Sequence, residues 1–198
     1  MSGTGRGILT ISVILFVALF YWLFFVYKVP SSTSTTDRGM VADYLQTKPE
    51  IQNTAARMQT GQPAPDFMFA TTSNHLIKLS DYKGKKPVVI DFFATWCGPC
   101  LRELPALQAF YQQYSDKVEI IAISAEDARA SGEIKSLVQS NALSFPVMHE
   151  YTRAVDSMYP HQAIPFLVFI DKDGKVVNTV VGYDPNVGEE ILSTFGLK

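Results

Sequence analysis

The chain has 198 residues and a formal net charge of −2, from 17 Lys and Arg against 19 Asp and Glu. That balance excludes the basic footprint of a nucleic-acid-binding domain, and 47% hydrophobic against 18% charged residues excludes a disordered tail. Two cysteines and three histidines are too few for a disulfide framework or a closed cysteine zinc site, and nothing in the sequence calls for a metal or a bound cofactor.

Residues 1–7 read as a short N-terminal tail. Ile8 to Tyr27 is a run of 20 uncharged residues. As a helix it covers roughly 30 Å, one hydrocarbon core. Tyr21, Trp22 and Tyr27 cluster towards one end, where interface aromatics belong. The run is longer than the roughly 7–15 residues of a signal-peptide core, and no small-x-small cleavage site follows. A retained single-span anchor over 8–27 is the expectation. Arg6 before the span and Lys28 and Arg38 after it nearly balance, so charge does not fix the orientation. A short tail kept inside with the large domain exported is the usual outcome. Residues 28–59 read as a tether: Ser31 to Thr36 is a polar low-complexity run, and Pro49 interrupts any single helix.

The globular part is expected over 60–198. Leu76–Leu79 alternates as a short strand, and Pro87–Phe93 is nearly all apolar, as in a strand buried on both faces. Leu101–Tyr114 carries apolar residues at helical spacing. Val118–Ser124 is a second buried strand, Gly132–Ala142 a helix, Phe145–Met148 a short strand and Arg153–Tyr159 a short helix. Phe166–Ile170 and Lys175–Val181 are strands joined by the turn Asp171-Lys172-Asp173-Gly174. Asp184-Pro185 reads as a cap and first-turn proline opening a last helix to about Phe195. This order predicts a mixed α/β sheet with helices on both faces.

The chemistry lies in Trp96-Cys97-Gly98-Pro99-Cys100, where a buried strand becomes a helix. A cysteine at a helix N-terminus meets free backbone N–H groups and the positive end of the dipole, which favour thiolate. The two-residue spacer brings Cys100 within disulfide reach, and Pro99 fits the first turn without loss of a hydrogen bond. An exposed low-pKa attacker with a sheltered resolving thiol is what thiol–disulfide exchange requires. The redox group is then the Cys97–Cys100 disulfide itself. His75, His149 and His161 are isolated and read as surface or packing residues.

Asp91-Phe92-Phe93-Ala94-Thr95-Trp96-Cys97-Gly98-Pro99-Cys100 resembles the active-site strand and helix of thioredoxin. Pro105 resembles the proline that kinks that helix. Ala163-Ile164-Pro165-Phe166 resembles the loop whose cis-proline faces the disulfide, and Gly182 also matches. Gly61-Gln62-Pro63-Ala64-Pro65-Asp66-Phe67, followed by Leu79 to Lys85, is similar to the membrane-anchored, extracytoplasmic branch that includes the TlpA, ResA and CcmG/DsbE proteins. So is an extra helix and strand between Ser124 and Phe145. The resemblance covers about Gly61 to Phe195. It implies a thioredoxin-like fold and marks Glu103, three residues after Cys100, as an active-site glutamate that raises cysteine pKa or shuttles protons. Asp91 matches the buried aspartate of thioredoxin, where this branch more often has asparagine. A buried carboxylate prefers its neutral form and is poised to exchange a proton with Cys100. Trp96, Gly98, Pro99, Ile164, Pro165 and Phe166 are the expected client-binding residues, with Phe166 standing where threonine is more familiar.

The implied function is a membrane-tethered disulfide reductase outside the cytoplasm, at a bacterial cytoplasmic membrane. Its clients would be cysteine proteins such as apocytochrome c, and a membrane thiol relay would supply its electrons. An oxidase or isomerase is the alternative. A thiol peroxidase fits poorly, because Ile90 and Ala94 stand where a peroxidatic Pro-x-x-x-Thr-x-x-Cys pattern needs proline and threonine. A non-catalytic anchored module would need neither the intact pair nor Glu103 and Pro165.

Overall fold

The computed structural model of the chain describes residues 58–197, so the expected tail, anchor and most of the tether lie outside the described residues. Among the described residues no helix is long and apolar enough to cross a membrane. Two short antiparallel strands, β1 (Met68–Ala70) and β2 (Leu76–Lys78), lead through a 3-10 turn into β3 (Val88–Phe93). Then follow α1 (Gly98–Tyr114), β4 (Glu119–Ser124), α2 (Ser131–Ser140), β5 (Val147–His149) and α3 (Ala154–Met158). The order ends with β6 (Phe166–Ile170), β7 (Val176–Val181) and α4 (Val187–Phe195).

The main sheet has the order β5-β4-β3-β6-β7. β3, β4 and β5 run parallel, while β6 is antiparallel to β3 and β7 to β6. Every residue of β3, β4 and β6 is buried, which is why these segments read as unbroken apolar runs. Alternation along β3 sends Val89 and Phe93 into the core beneath α1 and α4, with Leu104, Leu107, Phe169 and Ile191. Val88, Ile90 and Phe92 point to the other face, with Phe67, Met148 and Tyr159. Asp91 has the parity of Val89 and Phe93, so it faces α1.

The mixed sheet with helices on both faces is as the sequence predicts, and α2 with β5 supplies the edge strand beside β4. α1 starts at Gly98 with Cys97 as its N-cap, as the cysteine motif predicts, and its apolar stripe begins at Leu101. Two details differ. β1 was not expected: Met68–Ala70 becomes a strand only through its pairing with β2. α4 starts at Val187, not at Pro185. The Asp184 carboxylate accepts from Asn186 N at 2.8 Å and forms a turn ahead of the helix instead of capping it.

Candidate active site

β3 ends at Phe93, and the three residues Ala94–Trp96 carry the chain to Cys97, the N-cap of α1. Cys97 N–H donates to Ala94 O at 3.1 Å and Cys97 O accepts from Leu101 N at 3.0 Å, so the cap sits between a turn and the helix. Cys97 Sγ accepts from Cys100 N at 3.2 Å, taking the role a capping side-chain oxygen usually has. A negative charge on that sulfur is therefore solvated by a backbone N–H as well as by the helix dipole. Cys97 and Cys100 form a disulfide. Cys97 is 4% exposed and Cys100 1%, so the attacker expected to be exposed is buried in the disulfide form, while Trp96 beside them is 75% exposed and Gly98 and Pro99 are also exposed.

The Ile164–Pro165 peptide bond is cis, and Ile164 O lies 3.8 Å from Cys97 Sγ. Ile164 is half-buried and Pro165 buried. Pro165 O accepts from Gly182 N at 2.8 Å, which ties this loop to the end of β7. Gly182 has φ +91°, a conformation that L side chains rarely adopt. Phe166 is buried, its ring stacked on His161 at 5.0 Å and on Phe92 at 5.9 Å, so it lies under the loop and not on its surface.

Two carboxyl groups are buried behind the disulfide. Glu103 stands on the buried face of α1 with Cys100, Leu104 and Leu107. Its Oε1 accepts from Asp184 N at 3.2 Å, and its Oε2 has no partner. Burial pushes its pKa up to about 7, against the opposing pull of the Asp184 N–H and with a further push from the Asp184 charge. Asp91, beneath α1 on β3, has an unpartnered Oδ1. Burial first, and the charge of Glu103 second, hold it well above the ordinary aspartate range. Burial thus favours the neutral acid at both positions.

Contacts from distant segments complete the site, and the sequence reading did not find them. The Arg102 guanidinium lies 5.0 Å from the centroid of the Tyr183 ring, beside the Asp184 that binds Glu103. Glu126, just past β4, accepts from Thr95. Neither pair carries a sequence signal, because its members are 31 or more positions apart. Two cavities of about 400 and 260 Å³ lie at the other end of β3, by Lys86 and Val88, away from the cysteines.

The AhpC/TSA family model matches residues 60–179. The thiol-disulfide oxidoreductase ResA of Bacillus thuringiensis is 37% identical over 127 residues, which is 64% of this chain and 72% of that protein. The thioredoxin-like protein YneN of Bacillus subtilis is 32% identical over 126 residues, 63% and 73% of the two chains. Among solved structures, a Chlorobium tepidum protein assigned as thiol:disulfide interchange protein DsbE superposes with a TM-score of 0.59 at 27% identity, over 69% of this chain and 95% of that one. The thioredoxin-like fold, the cysteine pair at the strand–helix junction and these relatives define a thiol–disulfide oxidoreductase. The chain belongs to the AhpC/TSA family.

Proposed function

We propose that the protein is a membrane-tethered, extracytoplasmic reductase of client-protein disulfides, of the kind that serves cytochrome c maturation. The observation that carries the reading is Cys97 as N-cap of α1, bonded to Cys100 beneath it. In the reduced protein the Cys97 thiolate attacks a client disulfide sulfur. A mixed disulfide forms, and the first client sulfur leaves as a thiolate that takes a proton. Cys100 then loses its proton and attacks Cys97 Sγ, which re-forms the Cys97–Cys100 disulfide and releases the second client thiol. Two electrons and two protons pass to the client. Glu103 is the local proton acceptor in the second step, since a carboxyl poised near neutrality exchanges protons most efficiently, and Asp91, which burial holds towards its neutral form, exchanges its proton with the same pair.

The client lies across Trp96, Gly98, Pro99 and Ile164, the exposed or half-exposed rim of the disulfide, with the buried Pro165 and Phe166 supporting the loop from below. Its backbone pairs with that of Ile164. The uncharged run 8–27 supports the tether, and a membrane thiol relay returns the oxidised pair to its dithiol form. Measuring the Cys97–Cys100 potential tests the direction. A value near about −270 mV fits a reductant, and one near about −120 mV would make the protein an oxidase instead. Failure to reduce insulin disulfides with a chemical dithiol as donor would overturn the activity.

A further inference from the structure

The residues before Cys97 need a support of their own. Ala94–Trp96 bridges a buried strand and a helix cap, and Trp96 projects into solvent. One carboxylate from another part of the chain holds this bridge. Glu126 Oε2 accepts from Thr95 N at 2.8 Å and Glu126 Oε1 from Thr95 Oγ1 at 2.8 Å. Glu126 Oε2 also accepts from Ser124 Oγ at 2.8 Å, and Ser124 is fully buried at the end of β4. The backbone of Glu126 is fixed in turn: His149 Nε2, on β5, lies 3.1 Å from Glu126 O and 3.0 Å from Asp127 O. Glu133 Oε2, on α2, is a more distant second acceptor for Thr95 Oγ1 at 3.3 Å.

We infer that Glu126 is a positioning residue for the redox pair, a clamp from β4 that fixes Thr95 and thereby sets the approach of Trp96 and Cys97 to a client. Thr95 is two positions from Cys97, and both of its donors point into one carboxylate. The turn in which Cys97 N–H binds Ala94 O is thus held from outside as well as from within. Without Glu126, Thr95 N and the buried Ser124 hydroxyl lose their acceptor, and the bridge is free to choose other conformations. Hydrogen bonds to charged groups are the stronger kind, so the loss falls on the geometry of attack.

The consequence for turnover rests on the exchange activity proposed above, and the test separates the two. The full-length chain is prepared as wild type, Glu126→Ala, Thr95→Val and Thr95→Ser. Three quantities are read: the alkylation rate of Cys97 in the reduced protein, kcat/KM for insulin-disulfide reduction, and Tm. Glu126→Ala is expected to change the alkylation rate at least threefold and to lower kcat/KM at least tenfold. Thr95→Val loses the hydroxyl arm and falls in between, while Thr95→Ser keeps both donors and stays within twofold of wild type. A lowered Tm with alkylation and kcat/KM within twofold of wild type overturns the inference. If Glu126→Ala does not fold, Thr95→Val decides, and equality with Thr95→Ser overturns it. A wild-type chain that does not reduce insulin refutes the proposed activity, yet the alkylation rates still judge the clamp.

Discussion

Replacing Glu103 with glutamine should remove a pH dependence of stability that the native carboxyl creates. The group titrates near 4.5 when unfolded and at about 7 when folded. Because its folded pKa is raised, its contribution is intact below about pH 4.5 and is lost as pH rises through about 7. The difference corresponds to about 3 kcal/mol. Near pH 6 the unfolded chain has released this proton and the folded chain mostly retains it, so stability falls by about 1.2 kcal/mol per pH unit on this group's account. Glutamine keeps an oxygen for the Asp184 N–H and cannot ionise. Glu103→Gln should therefore flatten the slope around pH 6 by about that amount and should be the more stable form at pH 8. Asp91 titrates in the same environment, so the remaining slope belongs to it and the values belong to the pair. Guanidinium unfolding of the oxidised protein at a series of pH values measures this. An unchanged slope in Glu103→Gln would refute the assignment of the raised pKa to this group.

Cys97→Ser should abolish exchange and Cys100→Ser should accumulate mixed disulfides with clients; alkylation of Cys100 ahead of Cys97 in the reduced protein would reverse the roles. Asp91→Asn should slow resolution of the mixed disulfide with little change in its formation, and thiolate absorbance against pH should shift relative to wild type. Phe92→Ala should cost about 3–5 kcal/mol in denaturant unfolding, since the ring meets Tyr159, His161 and Phe166. A reporter fused after Lys198 should be active only outside the cytoplasm, and recovery of a soluble chain beginning near Ser31 would show cleavage in place of anchoring.

The fold was most legible where burial is complete. β3, β4 and β6 are buried on both faces and announce themselves as apolar runs whatever surrounds them. The β6–β7 turn was legible because its chemistry is local. Asp171 Oδ1 accepts from Asp173 N and Lys175 N, both at 2.9 Å, and Gly174 takes φ +79°. What escaped was set by tertiary contacts. β1 exists because β2 pairs with it and Thr71 beside it bridges to Met148. Asp184 reads as a helix cap in any sequence window, yet its N–H is spent on Glu103, 81 positions away.

The site divides in the same way, and topology explains the division. Cys97, Cys100, Glu103 and Asp91 lie along one strand and the helix that follows it; spacing relates the two cysteines, and the resemblance to thioredoxin marks the two carboxyls. The rest come together because of strand direction. β4 runs parallel to β3 with Ser124 opposite Phe93, so the residues just past both strands are neighbours, and Glu126 meets Thr95. β6 runs antiparallel with Phe166 opposite Phe92, so its beginning reaches that edge and brings Ile164 and Pro165 to Cys97. β7 turns back with Val181 opposite Phe166, so its end lies there too, and Gly182 and Asp184 bind Pro165 and Glu103. Four segments from separate parts of the sequence thus leave one edge of one sheet. The segment that binds Glu103 through Asp184 N–H also holds the proline loop through Gly182 N–H, so the proposed proton transfer and the proposed client contact would share a single strap of backbone.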